Sequence, residues 1–220
     1  MRIDIWSDVI CPWCFLGKRR LERALAELDW ADEIEIHWRA YLLDPTATGE
    51  PRDLATAIEK KYGPGAFEGM KQRLTALGEP EGITYRFDQA LRVSTLDAHR
   101  LLAWAWAVAG PQGQTPLKER LLQAYFEQGA NVADHGTLRR LVGELGLEHL
   151  GLDEAVAAEV LASGSYQDVV LEDLQAAMDR EITGVPGFVV ADRLLIPGAQ
   201  EAQTFVDVLN RARERFTEPA

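Results

Sequence analysis

Apolar and polar residues alternate at the start of the chain. The run Ile3-Asp4-Ile5-Trp6 breaks at Ser7-Asp8, and apolar residues then recur at helical spacing through Leu16, Leu21, Ala24, Leu25 and Leu28. The pattern predicts a strand, a short turn, and a helix that opens at Cys11 and ends near Asp29-Trp30. From Glu33 to Arg39 charged and apolar residues alternate almost strictly, as in a half-buried strand. The chain therefore opens β–α–β.

Asp44-Pro45 and the loop to Pro51 end this pattern, and the next hundred or so residues read as helical. Helices are expected at 53–62, 64–77, 95–109, 116–128, 136–145 and 154–161. Ser94, Thr115, Asp134 and Asp153 stand at N-cap positions, and Gly63, Gly78, Gly110, Gly129, Gly146 and Gly164 at helix stops. Within this block only Ile83-Thr84-Tyr85-Arg86-Phe87 reads as extended. The stretch from Leu101 to Val108 is apolar on all sides, which marks a central helix, and Trp104 and Trp106 within it read as core residues facing different directions. His99 and Arg100, polar residues at the start of that helix, read as solvated.

A further helix, 166–181, carries Val169, Val170, Leu174, Ala177 and Met178 as its apolar face. After it, Phe188-Val189-Val190 reads as a buried strand, Ala191 to Arg193 as a turn, and Leu194-Leu195-Ile196 as a return strand. A last amphipathic helix, 199–216, buries Phe205, Val206, Val208 and Leu209. Residues 1–43 plus 165–220 thus form one unit of order β–α–β…α–β–β–α, with residues 44–164 inserted as a helical domain.

Composition narrows the function. The 220 residues carry a net charge of −12, from 35 acidic and 23 basic side chains, which argues against a phosphate-backbone partner. No apolar run reaches the length of a membrane helix, and the first residues hold no signal-peptide segment. A cytoplasmic protein with neither a nucleic-acid nor a membrane partner is expected.

The two cysteines sit together in Cys11-Pro12-Trp13-Cys14. A thiol at a helix N-terminus meets unpaired N–H groups and the positive end of the macrodipole, both of which favour a thiolate at Cys11. Cys14, one turn further in, is placed to close a disulfide and to resolve a mixed one, and Pro12 suits the first turn, where its missing N–H costs nothing. Half of a zinc site, a structural staple and inert core thiols are alternative readings. No second cysteine pair and no His37, His99, His135 or His149 spacing completes a zinc site, and so short a loop gives a staple little to restrain. Asp8, the nearest carboxylate, reads either as a proton acceptor for Cys14 or as a turn or capping residue, and His99, beside the solvated reading, is a second supporting candidate for proton transfer.

The motif Cys11-Pro12-Trp13-Cys14-Phe15-Leu16-Gly17-Lys18, the helical insertion, Ser94 to Leu101, Gly184 to Val190 and Pro197-Gly198-Ala199-Gln200 together resemble the FrnE-type branch of the DsbA family, across the whole chain. The resemblance implies an α/β, thioredoxin-like fold with a large all-helical insertion. It also implies thiol–disulfide oxidoreductase or isomerase activity, and a cis Val185–Pro186 bond facing the active-site sulfurs, where the residues alone leave a trans proline at an edge strand equally open. No organic cofactor is expected beyond the redox-active disulfide. Protein or peptide thiols and disulfides are the implied partners, with glutathione as a co-substrate or a thioredoxin-type reductant as electron partner. DsbA itself has histidine where this chain has Trp13, which carries no charge, so a less acidic Cys11 and a weaker oxidant are expected. A glutathione-dependent isomerase or transferase of the kappa or 2-hydroxychromene-2-carboxylate isomerase type shares this architecture, with serine in place of Cys11. A peptide-binding or holdase module is a third reading.

Overall fold

The computed structural model describes residues 1–217; the last three residues of the expected 165–220 segment lie outside them. Strand β1 (Arg2–Ser7) leads into helix α1 (Pro12–Ala26), and β2 (Glu35–Ala40) returns parallel to β1 with Asp4 opposite His37 and Trp6 opposite Arg39. The helical region follows: α2 (Leu54–Tyr62), between the short antiparallel strands β3 (Arg52–Asp53) and β4 (Leu91–Arg92), α3 (Ala66–Gly78), α4 (Leu96–Gln128), α5 (His135–Gly143) and α6 (Glu154–Ser163). Helix α7 (Gln167–Asp179), strands β5 (Gly187–Val190) and β6 (Leu194–Pro197), and helix α8 (Ala202–Thr217) complete the chain. The main sheet runs β2-β1-β5-β6, with β5 antiparallel to both of its neighbours.

The two faces of β1 carry different chemistry because side chains alternate across a strand. Ile3 and Ile5 pack with Leu21, Ala24, Trp38, Phe205 and Leu209 beneath α1 and α8. Trp6 packs on the other face with Ala177, Ile182 and Val189, and its indole donates to the Asp173 carbonyl at 2.8 Å. The core of the helical region takes in Val9, Phe15 and Leu16, so α1 is buried against both parts of the chain.

Several expectations need correction. Leu96–Gln128 forms one bent element, broken only at Gly110 (φ 55°, ψ −145°). Thr115, expected as an N-cap, lies inside its second half, where its hydroxyl accepts from the Trp38 indole. Thr95, not Ser94, is the N-cap of the first half, whereas Asp134 and Asp153 do cap their helices. Residues 83–87 alternate in burial as a strand would but form no ladder: Arg86 N–H donates to the Phe126 carbonyl and Thr84 N–H to Glu127. On α7, Val170 and Ala177 are buried while Val169 and Met178 are exposed.

The outer edge of β2 is occupied by a side chain. The Gln114 carboxamide accepts from Trp38 N–H at 2.8 Å and donates to the Trp38 carbonyl at 2.9 Å, as a neighbouring strand would. This ties the second half of α4 to the sheet directly behind the β1–α1 turn.

Candidate active site

Helix α1 starts at the dithiol because Pro12 occupies its first turn and Cys11, in an extended conformation, is the N-cap. The Cys11 carbonyl accepts from the Cys14 and Phe15 amides, and Cys11 N–H donates to the Asp8 carbonyl at 3.2 Å. Both sulfurs are held as thiols. Cys11 is 3 % exposed and Cys14 fully buried. The Val185–Pro186 peptide is cis, and the Val185 carbonyl lies 3.6 Å from Cys11 Sγ, where it accepts from the thiol. A groove of about 300 Å³ opens on the cis-proline loop, lined by residues 181–187 with Leu195, Pro197 and Gly198. Gly17 lets α1 approach this loop: a Cβ there would stand 3.0 Å from Pro186 Cγ and 3.2 Å from Phe188.

Each supporting residue expected from the sequence lies around this pair. Pro12 offers its carbonyl to the Tyr85 hydroxyl at 2.6 Å. Trp13 is half-buried, and the Arg73 guanidinium lies over its ring at 5.1 Å, which brings to this position the positive charge that tryptophan lacks. Asp8 is fully buried beneath the turn; its Oδ2 accepts from Leu43 N–H at 2.8 Å and its Oδ1 lies 3.3 Å from His99 Nε2. The solvated reading of His99 and Arg100 is wrong, because the two residues are 2 % and 3 % exposed. Arg100 ties the start of α4 to the Val160, Leu161 and Ser165 carbonyls at and beyond the end of α6, and pairs with Asp97.

Lys118 was not anticipated. It has no exposed surface, lies 5.6 Å from the Trp38 ring centroid, and donates to the Ser7 carbonyl at 3.4 Å. Its spacing from Gln114, Leu121, Leu122 and Tyr125 places it on the buried stripe of its helix, and a lysine in such a stripe is the signal that could have found it. Tyr85 was missed because its segment read as a strand.

These neighbours divide the titration of the thiols unequally. Burial pushes Cys11 well up, and the adjacent Cys14 and the Asp8 charge push it further, although a backbone hydrogen bond from Cys14 opposes them. Burial acts on Cys14 too, but hydrogen bonding from Cys11, the Lys118 charge, the Ser7 hydroxyl and the Asp8 amide outweigh it and lower its pKa. The pair therefore loses its first proton more readily than an ordinary thiol and holds the second tightly. The helix N-terminus had been expected to put the thiolate on Cys11. Burial and the proximity of Cys14 oppose that effect at Cys11, so the first deprotonation belongs to the pair rather than to one sulfur.

A four-stranded sheet flanked by α1 and α8 on one face and α7 on the other, with a Cys-x-x-Cys at the first helix N-terminus facing a cis-proline loop, defines a thioredoxin-fold protein with a dithiol site. The chain belongs to the family of the DSBA-like thioredoxin domain, whose model matches residues 2–210. A crystal structure from Streptomyces coelicolor, assigned as a DsbA oxidoreductase, is 33 % identical and superimposes with a TM-score of 0.88, covering 100 % of this chain and 93 % of that one. A 2-hydroxychromene-2-carboxylate isomerase (17 % identity, TM-score 0.67, 100 % of each chain) has the same fold. So does the cytosolic disulfide reductase DsbM of Pseudomonas aeruginosa (17 % identity, TM-score 0.62, 98 % and 97 % covered). No helix among the described residues is long and apolar enough to cross a membrane.

Proposed function

We propose that the protein is a dithiol–disulfide oxidoreductase acting on protein or peptide disulfides through Cys11 and Cys14. The observation that carries this reading is Cys11 Sγ beside the Val185 carbonyl at the groove, with Cys14 buried behind it. A substrate disulfide lying along the groove meets Cys11 first. As the Cys11 proton passes to Cys14, the Cys11 thiolate attacks one substrate sulfur, and the departing substrate thiolate takes a proton from water. Cys14 then gives its proton to Asp8 and attacks Cys11 Sγ, which releases the second substrate thiol and leaves the Cys11–Cys14 disulfide. The reverse sequence oxidises a dithiol substrate.

The backbone of residues 184–186 offers an extended peptide strand-like hydrogen bonds beside the reacting sulfur. No organic cofactor takes part, and glutathione or a thioredoxin-type reductant returns the protein to its dithiol form. A reducing, cytoplasmic setting suits two cysteines confined to one motif, and the DsbM relative, described as cytosolic, has the same fold. The isomerase or transferase reading has no observation of its own, since position 11 holds a thiol with a second thiol one turn away.

Incubation across glutathione buffers, followed by alkylation and thiol counting by mass, tests the proposal. The wild-type chain is expected to pass between two free thiols and none, with Cys14→Ser trapping glutathione on Cys11. A pair that stays reduced at every ratio, together with saturable glutathione binding by the Cys11→Ser, Cys14→Ser double variant, would replace this reading with the glutathione-dependent one.

A further inference from the structure

On the face of the sheet opposite α1, a cavity of about 130 Å³ lies between β2, α4 and α7. His37, Arg39, His99, Trp106 and Asp173 contribute to its lining, and it shares no lining residue with the groove beside Val185–Pro186. His99 belongs to both the cavity and the buried site. Its Nε2 lies 3.3 Å from Asp8 Oδ1, and the ring lines the cavity. The Cys14 proton needs such an exit. Cys14 and Asp8 have no exposed surface, and Cys11 is 3 % exposed, so the dithiol itself has almost no direct access to water.

We propose that His99 is the proton relay between Asp8 and this cavity, so that protons enter and leave the dithiol site on the side of the molecule away from the substrate. The proposal rests on the reading of Asp8 as proton acceptor for Cys14. When Cys14 gives its proton to the Asp8 carboxylate, that carboxyl passes it to Nε2 of His99 in its neutral Nδ1–H form. The imidazolium so formed pairs with the restored carboxylate and releases its Nδ1 proton to water in the cavity. As the dithiol re-forms, water returns a proton to Nδ1 while Nε2 gives its own back through Asp8 and is freed for the next cycle. No bond other than those to hydrogen changes in this transfer.

The groups facing the relay suit it. Burial pushes Asp8 up, yet the hydrogen bond and charge of His99, the Leu43 amide and the Lys118 charge outweigh it and hold the carboxyl below its usual range. A carboxylate so held is a poor resting place for a proton and must hand it on. From α7, Asp173 faces the cavity with its carboxylate bonded to Arg39 at 2.8 Å and to the Ala40 amide at 2.8 Å, and from β2 His37 stacks on Trp106 with ring centroids 3.6 Å apart. Polar groups on three sides give a cavity of this size the partners that ordered water needs. Lys118, on the second half of α4, lies on the Asp8 side of the relay. His99 is thus a positioning residue that acts through Asp8.

The test follows release of glutathione from the Cys11–glutathione mixed disulfide of the full chain, by acid quench and mass. His99→Gln keeps a donor toward Asp8 but carries no proton, and is expected to slow release by about 100-fold near neutral pH, the low end of what a positioned acid–base group contributes. The defect should shrink as pH rises and hydroxide takes over, and imidazole added to His99→Ala should restore the rate in proportion to its concentration. Should neither variant fold, Val169→Trp at the exposed lip of the cavity is expected to slow the same step with His99 in place. An unchanged pH profile in His99→Gln, or in Val169→Trp if that variant has to serve, would overturn the relay and leave the dithiol reading standing. A Cys14→Ser variant that releases glutathione as fast as the wild type would instead remove the dithiol reading, and the relay with it.

Discussion

Lys118 shows how one side chain sets the chemistry of the dithiol. Removing an ammonium from water disfavours its charge, and burial lowers its pKa to about 8 against the opposing pull of Cys14, Asp8 and Cys11. At neutral pH it remains largely charged, and that charge is one of the causes that lower Cys14. Replacing Lys118 by methionine keeps an apolar stem against Trp38 and removes the charge. The first thiol pKa is then expected to rise by about one unit, about 1.4 kcal/mol. Because the charge favours the thiolate of the reduced form, the midpoint should also become more reducing by about 30 mV. Thiolate absorbance against pH and glutathione titration measure the two quantities, and a midpoint that does not move would show that Lys118 serves packing alone.

The bend in α4 does for an element what Lys118 does for a residue. Gly110-Pro111 reads as a break, and the sequence places helices on either side of it at 95–109 and 116–128. Residues 111–115 are helical as well, because proline in a first turn loses no hydrogen bond. That added turn carries Gln114 onto the β2 edge. The bend lets one half of α4 bring His99 to Asp8 while the other half brings Lys118 to the Ser7 carbonyl. Gly110 sits at φ 55° and ψ −145°, a region that side-chain-bearing residues enter at a cost of about 1–3 kcal/mol. Gly110→Ala is therefore expected to lower the unfolding free energy in urea by about that amount and to slow mixed-disulfide resolution. Loss of stability without any change in resolution would show that the bend is not needed to hold the two halves on the site. The segment 83–87 teaches the complementary point: its alternation of burial was legible, but its backbone partners, Phe126 and Glu127, lie on another element, and no local pattern announces them.

Across the molecule, what the sequence made legible was whatever a single segment decides: the strand–turn–helix that presents Cys11 and Cys14, the β5–β6 hairpin, and the capped helices of the insertion. What it hid was the charged layer between the sheet and the helices α4 and α7. Asp173, Arg39 and Asp4 come from distant parts of the chain and each alone looks like a surface residue, whereas Lys118 is betrayed only by its place on a buried stripe and His99 only by the apolar run beside it. Their burial leaves a signature in the pH dependence of folding. Asp4 is 3 % exposed; burial pushes its carboxyl up, but His37, Arg2 and Arg39 outweigh this and hold it at about 2 against an ordinary 3.8. A carboxyl depressed in the folded state stabilises the fold above its unfolded pKa and loses that contribution as pH falls through the folded value. Asp4 thus contributes about 2 kcal/mol near neutrality that disappears between about pH 4 and pH 2. Asp8, also depressed, acts in the same direction. Asp173 is raised by burial, so its protonation in the folded state offsets part of the loss. Urea unfolding at stepped pH is therefore expected to show the wild type losing about 2 kcal/mol more than Asp4→Asn over this window. Parallel curves for the two proteins would mean that the Asp4 cluster makes no net contribution to folding, and that the acid lability of the fold arises elsewhere in the buried layer.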